Sequence, residues 1–244
     1  MSIRITLATA ARILAQLRHD HRTVALLIGV PALLMILLRY VINNPAGFDR
    51  FGSMLLGVFP LVVMFVVTSV ATLRERSTGT LERLMTTPLG KLDLLAGYAL
   101  AFGLAALVQV AVVATISLTW LGLKLSGPLW ALLVVAVLDA LLGMALGLFA
   151  SAFARTEFQA VQFMPAIVLP QVLLSGLIVP RGSMSGFLPG LSDVLPMSYA
   201  VEAMQQLTQH ADVSGTLLRD IAIIAGCVAL ALGGGAATLR RRTA

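Results

Sequence analysis

The chain has 244 residues, 59% of them hydrophobic and 11% charged, with a formal net charge of +6 and a mean hydropathy of +0.96. A soluble domain carries about 25% charged residues, so this composition leaves too little polar surface for a globule in water. The basic balance does not point to nucleic acid, because the charges sit between apolar runs rather than in a stripe interleaved with aromatics, and the single Cys227 excludes an intrachain disulfide framework and offers no metal cluster.

In chain order, the first element is an N-terminal amphipathic helix within residues 1–22. Ile3, Leu7, Ala10, Leu14 and Leu17 recur at four-three-four-three spacing, with Arg4 and Arg12 on other faces. Such a helix is expected to lie in the membrane interface as an elbow before the first span; the competing reading is a soluble cytoplasmic helix. A spanning helix needs about 20 predominantly apolar residues. Six runs qualify, at 23–42, 51–73, 92–121, 129–153, 158–179 and 217–239. In lipid every backbone polar group must be satisfied within its own segment, which favours six helices over an open sheet. The fold class is therefore an all-α membrane protein, with 23–239 as one transmembrane domain and 240–244 as a basic tail. The first run lacks a small-residue cleavage pattern after its long apolar core, and is expected to be retained. The third is long enough to tilt or to project beyond the bilayer.

Of the 17 Lys and Arg residues, all but Arg39, Arg50, Lys124, Arg181 and Arg219 fall on the side of the N-terminus. That bias places both termini in the cytoplasm. Between the fifth and sixth runs the external connection has two parts. Residues 181–191 are rich in Gly, Ser and Pro and read as a turn with a short re-entrant or interfacial segment. From Pro196 onward, Met197, Val201, Met204 and Leu207 form one face of a second amphipathic helix, on the external surface.

A phosphate-cradling loop is absent. Gly90-Lys91 comes nearest, but Met85 stands where its first glycine belongs and Leu92 where its Ser/Thr belongs. Gly182-Ser183-Met184-Ser185-Gly186 misses a nucleophile elbow by its central methionine. His19, His21 and His210 are too scattered for a metal site. What remains is polar material inside the spans: Gln109, Asp139 and Gln171 at broadly comparable depth. A mid-membrane carboxylate costs about 2.5–3.5 kcal/mol on insertion scales, so Asp139 is expected to face the bundle interior or water. The three residues read either as a polar patch lining a substrate route, or as a structural Gln109–Asp139 pair locking two helices. Gly143, Gly147 and Ser151 form a small-xxx-small ladder for close helix packing, within the chain or across a dimer. Pro31, Pro60, Pro165 and Pro170 are expected to bend their spans.

The cytoplasmic connection carries the sharpest pattern. Arg74-Glu75-Arg76-Ser77-Thr78-Gly79-Thr80-Leu81-Glu82-Arg83-Leu84-Met85-Thr86-Thr87-Pro88 resembles the E-R-x-x-G-T-L-E-x-L-x-x-T-P signature of ABC-2 type transporter permeases, the family that contains daunorubicin-type drug exporters. The match runs through Glu75, Arg76, Gly79, Thr80, Leu81, Glu82, Leu84, Thr87 and Pro88. Leu174-Ser175-Gly176-Leu177-Ile178-Val179-Pro180 and Leu195-Pro196-Met197-Ser198-Tyr199-Ala200 are similar to that family's fifth span, external hairpin and P-x-S/T-Y-A stretch. Local chemistry fits the first motif. Gly79 permits a sharp turn, Thr80 caps a short helix from Leu81, Leu81, Leu84 and Met85 give it an apolar face, and Pro88 stops it.

The resemblance implies that this short helix is a coupling helix seated in a separate ATPase subunit. It implies two permease chains, identical or sisters, and two ATPase subunits in a bacterial cytoplasmic membrane. ATP and Mg would then sit on the ATPase, with no cofactor on this chain and no catalysis by it. The mainly apolar interior suits a drug-like, lipophilic or lipid-like substrate, with lipid or polyprenyl-linked glycan export as the neighbouring option. A proton-coupled secondary transporter using Asp139 is the alternative from another class.

Overall fold

The computed structural model describes residues 2–79 and 90–238. Regular structure among them is helical throughout. The α-helices are α1 (Ile3–His19), α2 (His21–Val41), α3 (Pro45–Ser77), α4 (Lys91–Thr115), α5 (Leu129–Ser151), α6 (Glu157–Leu174), α7 (Leu188–Val194), α8 (Pro196–Gln209) and α9 (Gly215–Thr238). Six are long and apolar enough to cross a membrane: α2, α3, α4 with its extension, α5, α6 and α9. The chain is a multi-pass membrane protein.

The boundaries follow local chemistry. Asp20 breaks the chain between α1 and α2 and caps α2, its carboxylate accepting from the Thr23 amide at 3.1 Å and the Thr23 hydroxyl at 2.6 Å. Asn44 caps α3, accepting from the Ala46 amide at 3.1 Å, with Pro45 in the first turn. Gly79 closes that stretch at φ +70°, the left-handed turn its place in the motif implied. Thr156 caps α6 through the Gln159 amide.

One expectation needs correction. The fifth span does not reach 179. It stops at Leu174, where Ser175 turns its hydroxyl back to the Val172 carbonyl and Gly176 takes φ +91°. The third span is not α-helical throughout but ends in a π-turn, Ile116–Trp120. Thr115, Ser117 and Thr119 each bond the carbonyl four residues back, at 2.6–2.8 Å, a back-bonding that loosens helical turns. The Leu121 amide then reaches five residues back, to Ile116. In α1 the face packed on the bundle is Thr6, Thr9, Ala10 and Ile13, while most of the expected apolar stripe lies outside it. Ile3 and Leu7 are 78% and 56% exposed. The shift has a steric cause. α4 presents Gly97, and a Cβ there would lie 2.7 Å from the Thr9 side chain, so the small face approaches and the large residues point away.

α3 is the central pillar, with Leu56, Leu61, Met64 and Phe65 fully buried. Its closest neighbour is α5, which runs in the same direction. A Cβ at Gly143 would stand 2.1 Å from the Leu61 carbonyl oxygen, and one at Gly147 would stand 2.4 Å from that of Phe65. The small-residue ladder therefore packs within the chain. The expected face of α8, Met197, Val201, Met204 and Leu207, is buried, but it turns into the bundle: Met204 reaches Gly57 of α3.

Gly143→Val and Gly147→Val should each destabilise the bundle by at least about 1–3 kcal/mol, because the obstruction is backbone. Gly226→Ala, which meets nothing within 4 Å, should leave stability unchanged or slightly raised. Thermal unfolding in detergent micelles separates the two outcomes.

Candidate transport site

Gln109, Asp139 and Gln171 are all buried, yet they are not hydrogen-bonded to one another. Gln109 reaches from α4 to α2, its amide donating to the Leu27 carbonyl at 2.8 Å. The reason lies four residues on. Leu27's helical partner would be the amide of residue 31, and Pro31 has none. Gln109 thus satisfies a carbonyl that a proline orphaned inside the bundle. Gln171 donates to the Ile167 carbonyl of its own helix at 3.2 Å.

Asp139 stands one turn before Gly143 and so on the same stripe of α5. Its Oδ2 lies 3.5 Å from where a Cβ on Gly57 would be, at a junction shared with Met204 of α8. It is 0% exposed, and neither carboxylate oxygen has a hydrogen-bond partner among the described residues. Two buried hydroxyls of α3, Thr68 and Thr72, are also unpartnered. Their four-residue spacing along an otherwise apolar span is visible in the sequence.

At the end carrying the described termini, a polar cluster ties helices together. Glu75 accepts from Arg12 of α1 at 2.8 Å and from the Tyr98 hydroxyl of α4. Arg74 forks onto both oxygens of Glu157 at 2.7 and 3.0 Å and lies 3.8 Å from Asp20. Asp93, just past the 74–88 motif, accepts from the Ser2 amide at 2.8 Å. The Thr23 hydroxyl and amide, with Arg74 nearby, hold the Asp20 carboxyl below its usual range. Between these helices opens a cavity of about 390 Å³, walled by Ile13, Leu17, Leu26, Val67 and Phe102, with Asp20, Arg74 and Glu75 at its polar margin. Of the motif residues, Glu75, Arg76 and Gly79 are placed at this end. Thr80, Leu81, Glu82, Leu84, Thr87 and Pro88 lie outside the described residues, and with them the expected coupling helix.

At the opposite end, Arg181 binds Asp193 of α7 and Glu202 of α8, the latter at 2.8 Å. Arg219 of α9 bonds the buried Asp220 at 2.8 Å and lies 3.6 Å from Glu202. Ser192 of α7 donates to the Leu174 carbonyl at 2.7 Å, stitching the mesh to the end of α6. A second cavity, about 430 Å³, opens here beside Arg50, Arg181, Glu202 and Gln205. Among the described residues no group of three or more His, Cys, Asp or Glu is placed to hold a metal.

This geometry is that of a multi-pass helical bundle with buried polar side chains in its interior and a polar cluster at each end. Residues 4–208 match the ABC-2 type transporter family model, and the chain belongs to that family. It is 25% identical over 173 residues to the probable multidrug ABC transporter permease YbhS of Escherichia coli (strain K12), covering 70% of this chain and 46% of that protein. It is 27% identical over 237 residues to the probable doxorubicin resistance ABC transporter permease protein DrrC of Mycobacterium tuberculosis (strain ATCC 25618 / H37Rv), covering 93% of this chain and 85% of that one. With ABC transporter G family member 20 of Dictyostelium discoideum the identity is 28% over 141 residues, 58% of this chain and 19% of that protein. The chain thus spans less than half the length of two of these relatives.

Gln109→Leu should cost about 1–2 kcal/mol of stability by leaving the Leu27 carbonyl bare. In a Pro31→Ala background, where residue 31 can donate to Leu27 itself, the same change should cost little. A double-mutant cycle read by thermal unfolding checks the coupling.

Proposed function

We propose that this chain is the permease subunit of an ATP-binding cassette exporter, moving a drug-like, lipophilic or lipid-like substrate out across the bacterial cytoplasmic membrane. The observation that carries the reading is the family match, which runs through the 74–88 motif. A separate ATPase subunit, two copies per complex, binds and hydrolyses ATP with Mg, while this chain supplies no catalytic group. Two permease chains, identical or sisters, complete the assembly. ATP binding draws the ATPases together, and their coupling contacts favour an outward-releasing arrangement of the spans; hydrolysis resets it. Both termini are cytoplasmic, in keeping with the bias of Lys and Arg.

Two observations support the substrate class. The cavity behind α1 pairs apolar walls with an ionic margin, which fits a cargo with an apolar body and a polar end. The E. coli and M. tuberculosis relatives are named for multidrug transport and doxorubicin resistance, and we extend that class to this chain. Export of a lipid or polyprenyl-linked glycan is the neighbouring reading. Asp139, with Gln109 and Gln171 at comparable depth, is the candidate for the substrate route. Its two unpartnered oxygens also keep a second reading in play, transport driven by protons through that carboxyl.

Purified from membranes with its ATPase, the chain should yield a stoichiometric complex, and Glu82→Arg with Leu84→Asp should weaken it at least about thirtyfold. Equal binding by the double variant, still folded, would remove the coupling assignment. Asp139→Asn separates the two energy sources: ATP-driven uptake of a lipophilic dye into inverted vesicles should persist, whereas proton-driven transport should collapse.

A further inference from the structure

We infer that the corner between the end of α2 and the π-turn binds the phosphate of an anionic phospholipid, with Arg39 as its ligand. Arg39 is held in place by two contacts that leave its fork free. Its Nε donates to the Leu121 carbonyl at 3.1 Å, and its guanidinium lies over the Phe48 ring, 5.5 Å from the centroid. Its two terminal amino groups have no hydrogen-bond or ion-pair partner among the described residues. By contrast, Arg181 and Arg219 at the same end are committed to carboxylates.

The guanidinium borders a cavity of about 290 Å³ lined also by Tyr40, Asn43, Trp120 and Leu121. Arginine's planar fork matches phosphate oxygens in pairs, and Asn43 adds a neutral amide. Tyr40 and Trp120 are 74% and 66% exposed, the residue types that settle at the headgroup level of a bilayer. A lipid fits better than a soluble phosphate because of what lies beside the cavity. Tyr40, on the cavity's rim, adjoins the exposed outer face of α2, where Leu33, Leu37 and Val41 recur at four-residue spacing, so acyl chains have an apolar face beside the site. The π-turn is part of the device. By reaching five residues back it brings Leu121 to the position where its carbonyl takes the Arg39 Nε.

The test uses the full chain in vesicles with Trp130→Phe, so that Trp120 is the only tryptophan, and reads its quenching by brominated lipids. Brominated phosphatidylglycerol should be preferred to brominated phosphatidylcholine by about fivefold in relative binding constant. Arg39→Gln should bring the preference to unity, and Arg39→Lys, which keeps the charge but not the fork, should leave an intermediate value. The reciprocal Trp120→Phe chain, reporting from Trp130, should show no preference. No preference at Trp120 in the parent chain, or one undiminished in Arg39→Gln, overturns the proposal. Displacement of phosphatidylglycerol by millimolar inorganic phosphate assigns the site to soluble phosphate and overturns the lipid assignment.

Discussion

The bundle depends on how closely α3 and α5 approach. Between helices in lipid there is no hydrophobic drive to associate, so contact must come from packing, and packing improves as backbones draw near. Gly143 and Gly147 let the Leu61 and Phe65 carbonyls enter space that a side chain would fill. The two helices run in step, so each rung advances four residues on both. The rung before the glycines joins Gly57 to Asp139. The buried carboxyl therefore faces α3 because the glycines below it fix the rotation of α5, whatever its own chemistry. α8 then closes this junction with Met204.

A second constraint is backbone accounting, which is strict where water is absent. Pro31 removes one donor and Gln109 of another span supplies it. Thr115, Ser117 and Thr119 add donors to carbonyls already in use, and the helix widens to a π-turn. The polar atoms that escape this accounting are informative. Asp139 of α5 and Thr68 and Thr72 of α3 have unpartnered oxygens, as do Gln109 and Gln171 elsewhere in the bundle, so polarity is left unspent in the interior beside its tightest apolar contact.

Much of this was legible in the sequence. Run length and composition point to six spans, and the four-three-three spacing of Met197, Val201, Met204 and Leu207 marks the face of α8, because burial of an amphipathic face is a local property. What failed was partnership. Periodicity in α1 marked its largest apolar residues, but the groove of α4 accepts Thr9 at Gly97, and small residues carry no hydropathy signal. Mid-span depth alone pairs Asp139 with Gln109, and depth does not fix which way a helix is turned. The pattern Asp139, Gly143, Gly147, Ser151 already placed the carboxyl on the ladder stripe, and Pro31 already announced an orphan carbonyl for some amide to meet. The end of the fifth span was missed because residues 175–179 are apolar enough to continue a helix, while Gly176 sets its geometry by φ alone.

The clamp on α1 has a mechanical meaning. Glu75, near the end of α3, holds Arg12, and Asp93, near the start of α4, holds the amide of Ser2. The segment between those two carboxylates includes residues 80–89, and α1 spans its two footings like a splint. Separating the footings requires breaking one of these two contacts or moving α1 with them. Through the Asp20 joint, α1 also ties both footings to the start of the first membrane-crossing helix.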